Sequence, residues 1–252
     1  MKYVIKKKQL INSTNQLNLI NKAEMSITEH LDELRQRIIA TLIMFSLTSV
    51  VSFMFTKQLT SILQKPSDGV KFLQLAPGEY FFVSIKIAIY SGLMLSCPFA
   101  IYQIIMFILP GLTSKEIKII IPALLGSAIL FFVGIIFGYL ILAPAALQFF
   151  IHYGAEIIEP LWSFEQYFDF ILLLLFSTGL AFQIPIIQVT LGVFNIVSSK
   201  QMVKIWKYIV FISTIIGAIV TPSTDPLTQI IMSAAILLLY FSGIMILITM
   251  KK

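Results

Sequence analysis

Cysteine is almost absent from this 252-residue chain: Cys97 stands alone, so an intrachain disulfide, a CxxC redox pair and a thiolate zinc cage are excluded. It sits inside an apolar run and reads as a small buried hydrophobe. Arginine is scarce as well, with 2 residues against 16 lysines. Charged residues of all kinds make up 12% of the chain, about half of the roughly 25% expected of a soluble domain, which rules out an ordinary cytosolic globular protein. No Walker loop, HExxH, GxSxG or glycine-rich dinucleotide fingerprint is present, so no enzyme class gains support and no cofactor is expected. The first 24 residues begin basic but lack both a continuous apolar stretch and a small-residue cleavage site. A cleaved secretory signal is therefore not expected, and residues 1–25 read as a polar extension.

What the chain has instead is hydrocarbon. Hydrophobic residues make up 58% and the mean hydropathy is +0.93. Apolar runs long enough to cross roughly 30 Å of hydrocarbon predict an all-α membrane protein with spans near residues 38–56, 81–107, 117–142, 167–191, 205–220 and 227–250. The second carries Lys86 one turn inside its start, and the third is expected to end before Pro144. The fifth is short, about 24 Å as a helix, and calls for a thinned bilayer, snorkelling by Lys204 and Lys207, or burial against neighbours. It is joined to the sixth by the turn Thr221-Pro222-Ser223-Thr224-Asp225-Pro226.

Six spans put both termini on one side. Fourteen Lys and Arg residues fall on that side, against Lys57, Lys65 and Lys71 on the other, so the termini face the cytoplasm or its organellar equivalent. The net charge of +6 is thus a topology signal, and nucleic acid is discounted. His30 and His152 fall on opposite sides, which argues against a shared metal. The 43 isoleucines and the Lys bias fit an AT-rich coding genome.

Four local features could carry function. His30-Leu31-Asp32-Glu33-Leu34-Arg35-Gln36-Arg37 precedes the first span and holds both arginines; as a helix it sets Glu33 and Arg37 at i,i+4. Its arginines suffice as inside anchors, while Glu33 could face a cationic ligand. Phe107-Ile108-Leu109-Pro110-Gly111-Leu112-Thr113-Ser114-Lys115-Glu116 fills the next inside loop. It could simply start a helix, or it could place Glu116 beside Glu33 as a second carboxylate. Two carboxylates at a membrane surface suit a ligand bearing two guanidinium groups. Inside the fourth span, Gln183 and Pro185 are either interhelical glue or a docking point for a partner helix. Asp225 and Pro222 mark the outer turn, where an aspartate is usually a cap. Gly134 and Gly138 form a GxxxG that suits packing within the bundle.

With these residues in order on six spans, the chain resembles the TatC family, the polytopic subunits of twin-arginine protein translocases. The resemblance runs from about Ser26 to the end. It rests on His30-Leu31-x-Glu33-Leu34-Arg35-x-Arg37, Pro110-Gly111-Leu112 with Glu116, Phe182-Gln183-x-Pro185, and Thr221-Pro222-x-x-Asp225-Pro226. It implies a cup-shaped six-helix bundle that receives folded cargo with Arg-Arg signal peptides. Glu33 and Glu116 would read the signal, with Leu34, Arg35, Phe107 and Pro110 around them. It also implies single-span TatA/TatB-type partners, further copies of the chain in one complex, and drive by the protonmotive force without a bound cofactor. Glutamine at 183, where many bacterial members have glutamate, looks like the cyanobacterial and plastid branch. A plastid thylakoid membrane is the first expectation and a bacterial inner membrane the second. The rival function is a small-molecule secondary transporter, which should show repeated helix breaks and ion pairs at membrane depth; Pro185 has no matching break, and the sequence points to no such pairs.

Overall fold

The computed structural model describes residues 27–67, 70–108, 114–154, 161–194, 196–221 and 225–249. Residues 1–25, Pro110, Pro222 and the Glu116 side chain lie outside the described residues.

Helix α1 (Ile27–Met54) contains neither glycine nor proline, and at 1.5 Å per residue it is about 42 Å long. Its apolar stretch starts near Ile38, so the first three turns, with the polar motif, continue the same rod beyond the hydrocarbon. A one-residue break at Phe55 leads into α2 (Thr56–Gln64), which buries Thr56, Thr60 and Leu63 on one face. Then come β1 (Lys71–Leu73) and α3 (Glu79–Ile108). Helix α4 (Ser114–Phe137) does not stop before Pro144. It passes through a π-turn at Gly138–Leu142 into α5 (Ala143–Gly154), so Pro144 lies inside a continuous helix directly after the π-turn, where it removes one N–H donor without ending the span.

After β2 (Leu161–Ser163), α6 (Phe164–Ala181) and α7 (Ile184–Val193) make one span with a break at Phe182 and Gln183. Pro185 explains the break, because it has no N–H for the Ala181 carbonyl. The chain ends in α8 (Ser199–Lys204), started by a Ser198/Gln201 capping box, α9 (Trp206–Val220) and α10 (Pro226–Thr249). Five helical spans are long and apolar enough to cross a bilayer, and α9 is the shorter sixth. Beyond the expected helices, β1 and β2 pair in parallel, with Phe72 opposite Trp162.

The span formed by α6 and α7 is the axis of the bundle. Its most apolar stretch is 56% buried, against 6% for α1, so α1 is a peripheral helix that leans on α3. Phe168, Ile171, Leu172 and Leu174 of α6 pack with Phe131 of α4 and Met232 and Ile236 of α10. Several crossings depend on glycine for space, among them those of α1 with α3 and of α4 with the α6–α7 break. A Cβ on Gly92 of α3 would lie 2.6 Å from the Ser49 Cα of α1, and one on Gly134 of α4 would lie 2.9 Å from the Phe182 Cβ. The Gly134/Gly138 pair thus faces α6 inside the bundle.

Polar groups at the edges of the hydrocarbon are satisfied by side chains. The C-terminal carbonyls of α2 accept from two tyrosines: Tyr139 Oη donates to Ile62 O at 2.8 Å and Tyr167 Oη to Leu63 O at 2.5 Å. The buried Glu79 carboxylate accepts from the backbone N–H groups of Leu75, Ala76 and Glu165 at 2.6, 3.1 and 2.8 Å, tying the turn before α3 to the start of α6. At the α6–α7 break, Ser127 Oγ donates to Gln183 Oε1 at 2.6 Å and Gln183 Nε2 donates to Ser127 O at 3.1 Å.

Three substitutions test this packing by thermal unfolding in detergent. Gly92→Val should destabilise by about 1–3 kcal/mol, because the contact is with backbone that cannot swing aside. Gly126→Ala should leave the midpoint unchanged or raise it, since its Cβ would meet the Ile186 side chain at an ordinary 3.6 Å. Gln183→Leu should lose about 1 kcal/mol, the scale of an interhelical hydrogen bond in a membrane; an unchanged midpoint would mean that the Ser127 pair is not holding α4 to the break.

Candidate functional site

Helical periodicity on α1 sorts the polar motif into two faces. His30, Glu33, Leu34, Arg37 and Thr41 recur at i, i+3, i+4, i+7 and i+11 on the face toward α3, whereas Asp32, Arg35 and Gln36 lie off that face and are exposed. Arg35 is therefore on the opposite side of the helix from Glu33. Helix α3 runs antiparallel to α1 and delivers Gln103 and Phe107 to the first face. The His30 imidazole stacks on the Phe107 ring, with centroids 4.2 Å apart and planes 15° apart. Arg37 Nε donates to Glu33 Oε1 at 2.9 Å, its Nη2 donates to the same oxygen, and its Nη1 reaches across to Gln103 Oε1 at 3.0 Å.

The Glu33 carboxylate is consequently asymmetric. Oε1 accepts two donors, while Oε2 is buried and has no hydrogen-bond partner among the described residues; His30 Nδ1 is 3.9 Å from it. The Glu33 and Arg37 side chains are 19% and 21% exposed, so water screens their charges only in part. Below this polar cluster an apolar groove of about 530 Å³ runs between the two helices, lined by Leu34, Ile38, Leu42, Ala100, Ile104 and Ile108. The arrangement can take a hydrogen-bonding cation at its mouth and an apolar segment along its length.

Of the sequence-predicted residues, Glu33, Leu34 and Phe107 come together here. Glu116 is in the first turn of α4, and the chain from Ile108 to Ser114 spans at most about 21 Å, which keeps it at the same end of the bundle. Sequence reasoning missed Gln103, which nothing in the apolar run of α3 marks, and gave His30 no role. Gln183 is turned inward to Ser127, as described above. Pro185 lines a second apolar groove, of about 600 Å³, with Gly126, Leu130, Ile186, Val189 and Leu239. Asp225 is buried and accepts from Thr228 N at 2.8 Å and Thr228 Oγ1 at 2.6 Å. That is an N-cap for α10, with Pro226 at N1.

The opposite end holds an ion-pair cluster that the sequence reading did not anticipate. Lys86 Nζ of α3 donates to Glu165 Oε1 at 2.7 Å and to Asp169 Oδ1 and Oδ2 at 2.8 and 2.9 Å on α6. Asp169 lies in a stretch read as a continuous span, and the expectation of no ion pairs at membrane depth is corrected here. The usable signal was depth: Lys86 and Asp169 each sit one to two turns inside the starts of their helices. This partly exposed cluster joins α3 to α6 and lies in no groove with a break in a second half, so it lends the transporter reading little.

The profile of the family described as Sec-independent protein translocase protein (TatC) matches residues 29–234. An uncharacterized tatC-like protein of Porphyra purpurea is 63% identical over 241 residues, 95% of either chain. The chloroplastic Sec-independent protein translocase protein TATC of Pisum sativum is 50% identical over 222 residues, 87% of this chain and 63% of that one. A crystal structure of the twin arginine translocase receptor TatC superimposes with a TM-score of 0.77 at 36% identity, covering 87% of this chain and 99% of that one. With six apolar helices in the matching fold, the chain is an integral membrane protein of the TatC family, a core, non-enzymatic subunit of the Sec-independent translocase complex.

Proposed function

We propose that the α1–α3 end of this subunit is the receptor surface for the two arginines of a twin-arginine signal peptide, with Glu33 and Glu116 as acceptors and Leu34, Arg35, Phe107 and Pro110 around them. The observation that carries this reading is the half-buried Glu33 carboxylate, with one oxygen lacking a donor among the described residues, beside Leu34 and Arg37, which line an apolar groove. A guanidinium supplies directed donors to such an oxygen, and its hydrogen bond to a charge gains from partial exclusion of water. Lysine presents a compact, strongly hydrated ammonium and makes no planar fork.

The remaining parts of the reading follow from the family and the charge pattern. The groove beside Pro185 is the seat for the span of a TatA/TatB-type partner, with Gln183 fixing the break that shapes it. The cargo is a folded protein, transport is driven by the protonmotive force, and several copies of the chain work in one complex. Residues 26–252 form the translocase domain and residues 1–25 an extension. The lysine distribution and the chloroplastic relative favour a thylakoid membrane with the N-terminus in the stroma.

Photoreactive probes at position 116 and, separately, at His152 on the opposite face test both receptor role and sidedness. An Arg-Arg signal peptide should label position 116 and not position 152, and a Lys-Lys peptide should lose that label. Glu33→Ala or Glu116→Ala should weaken Arg-Arg binding by about 1.5–3 kcal/mol, the range for hydrogen bonds to charged groups. Equal affinity for the two peptides, or no specific label at either position, would overturn the receptor reading in favour of a transporter.

Orientation is tested with single cysteines, because the native Cys97 is buried. Gln36→Cys, exposed on α1, should react with an impermeant maleimide from the stromal side. His152→Cys, exposed on α5, should react only from the lumenal side; the reverse pattern would invert the topology.

A further inference from the structure

We infer that Arg37 and Gln103 form a positioning pair that gives Glu33 its selectivity, holding the carboxylate with Oε1 spent and Oε2 buried without a donor among the described residues, so that a guanidinium is preferred over an ammonium. The inference rests on the receptor reading of Glu33 and assigns the source of its specificity to two residues that act through Glu33 and also line the groove beside it.

A glutamate on an otherwise free helical face has three side-chain torsions, and its oxygens would follow any cation that approached. Here the torsions are fixed from outside. Arg37 lies one turn further along α1 and gives two donors, Nε at 2.9 Å and Nη2, to the same Glu33 oxygen. The far edge of the same planar guanidinium is anchored by Nη1 to Gln103 Oε1, 3.0 Å away on α3. Because the guanidinium is rigid, fixing its far edge fixes the direction in which its near edge pulls the carboxylate. The neighbouring helix therefore decides where Glu33 points, through Arg37.

The anchoring leaves Oε2 buried and without a donor. His30 does not close this vacancy: its Nδ1 is 3.9 Å away, beyond hydrogen-bond distance, and its ring is committed to Phe107. Charge alone gives a cation little at this point, since Arg37 already neutralises Glu33 and the local sum is zero. What remains to be gained is one directed, charge-assisted hydrogen bond to an oxygen that cannot move to meet its donor. A guanidinium approaching edge-on meets that geometry, whereas an ammonium does best with a carboxylate free to reorient and keep water on its other donors. Selectivity is thus a property of the immobility of Glu33, and releasing Arg37 from Gln103 should abolish it without removing the acceptor.

The test uses the full-length protein in detergent and fluorescent Arg-Arg and Lys-Lys signal peptides, read by anisotropy. Gln103→Met removes the acceptor for Arg37 while keeping the length and packing of the side chain. It should weaken Arg-Arg binding by about tenfold, the scale of one charged hydrogen bond, and leave Lys-Lys binding within about twofold. Gln103→Glu keeps an acceptor and should preserve the ratio of the two affinities. If Gln103→Met lowers the thermal midpoint too far for measurement, Arg37→Lys, which replaces the fork by a point charge, makes the same comparison. Equal weakening of both peptides, or an unchanged ratio, would reduce the pair to ordinary packing and sink the inference. Glu33→Gln separates the two levels: if it leaves Arg-Arg affinity intact, the receptor reading itself fails; if it abolishes the preference while Gln103→Met does not, the positioning role alone fails.

Discussion

Inside hydrocarbon a backbone N–H or C=O has no water to fall back on, and each departure of this chain from a straight helix has to be covered by the protein itself. The break at Phe182 and Gln183 is covered twice. Turn bonds run from Phe182 N to Thr178 O and from Gln183 N to Leu180 O, and the Gln183 side chain ties the site to Ser127 of α4. The end of α2 is covered by the hydroxyls of Tyr139 and Tyr167, which come from two different helices. Both tyrosines can reach because the π-turn at Gly138–Leu142 and the first turn of α6 bring them to the same place. Local irregularity and tertiary contact are the same event here: the bundle is held where its helices are imperfect.

That constraint also divides the molecule in two. The span formed by α6 and α7 is broken, central and largely buried, and its neighbours α4 and α10 fill the breaks. Helix α1 has no break and leans chiefly on α3. The Ser49–Gly92 approach clamps the two along their middle, and Thr48 Oγ1 adds a bond to Gly92 O at 2.9 Å. A peripheral pair of straight helices has one consequence for function. Its polar ends extend past the hydrocarbon together, in fixed register, and present His30, Glu33 and Arg37 to Gln103 and Phe107 at the membrane surface.

How much of this could be read in the sequence depended on whether the information was periodic or paired. The spans, the short fifth helix and the i,i+4 relation of Glu33 to Arg37 are properties of one segment, and the sequence displays them. The partner of Arg37 is not of that kind. Gln103 lies 66 positions away in an apolar run, and its meaning appears only when α3 is laid antiparallel to α1. Lys86 and Asp169 were legible one at a time, as a stray cation and an overlooked anion, and became a cluster only through the α3–α6 contact. Pro144 misled because proline ends most helices, yet here the helix continues through it directly after the π-turn at Gly138–Leu142. Asp225 was easier, since an acidic residue directly before proline and three before threonine has the spacing of a helix cap.

Unsatisfied polar atoms point the same way. Among the described residues, buried side-chain atoms without a partner occur on Ser49, Ser52, Glu33 and Gln188. The two serines face the tight α1–α3 crossing, where the need for a small side chain outweighs the need for a bond. Gln188 is different: its amide is pressed against Gly243, where a Cβ would come within 2.1 Å of Oε1, so the close approach of α7 and α10 consumes the space a partner would need. Glu33 has no such excuse. Its side chain is 19% exposed, and Arg37, itself anchored to Gln103, holds its other oxygen. An unmet acceptor that the surroundings actively preserve is the kind of local conflict that selection tolerates at a binding site and removes elsewhere.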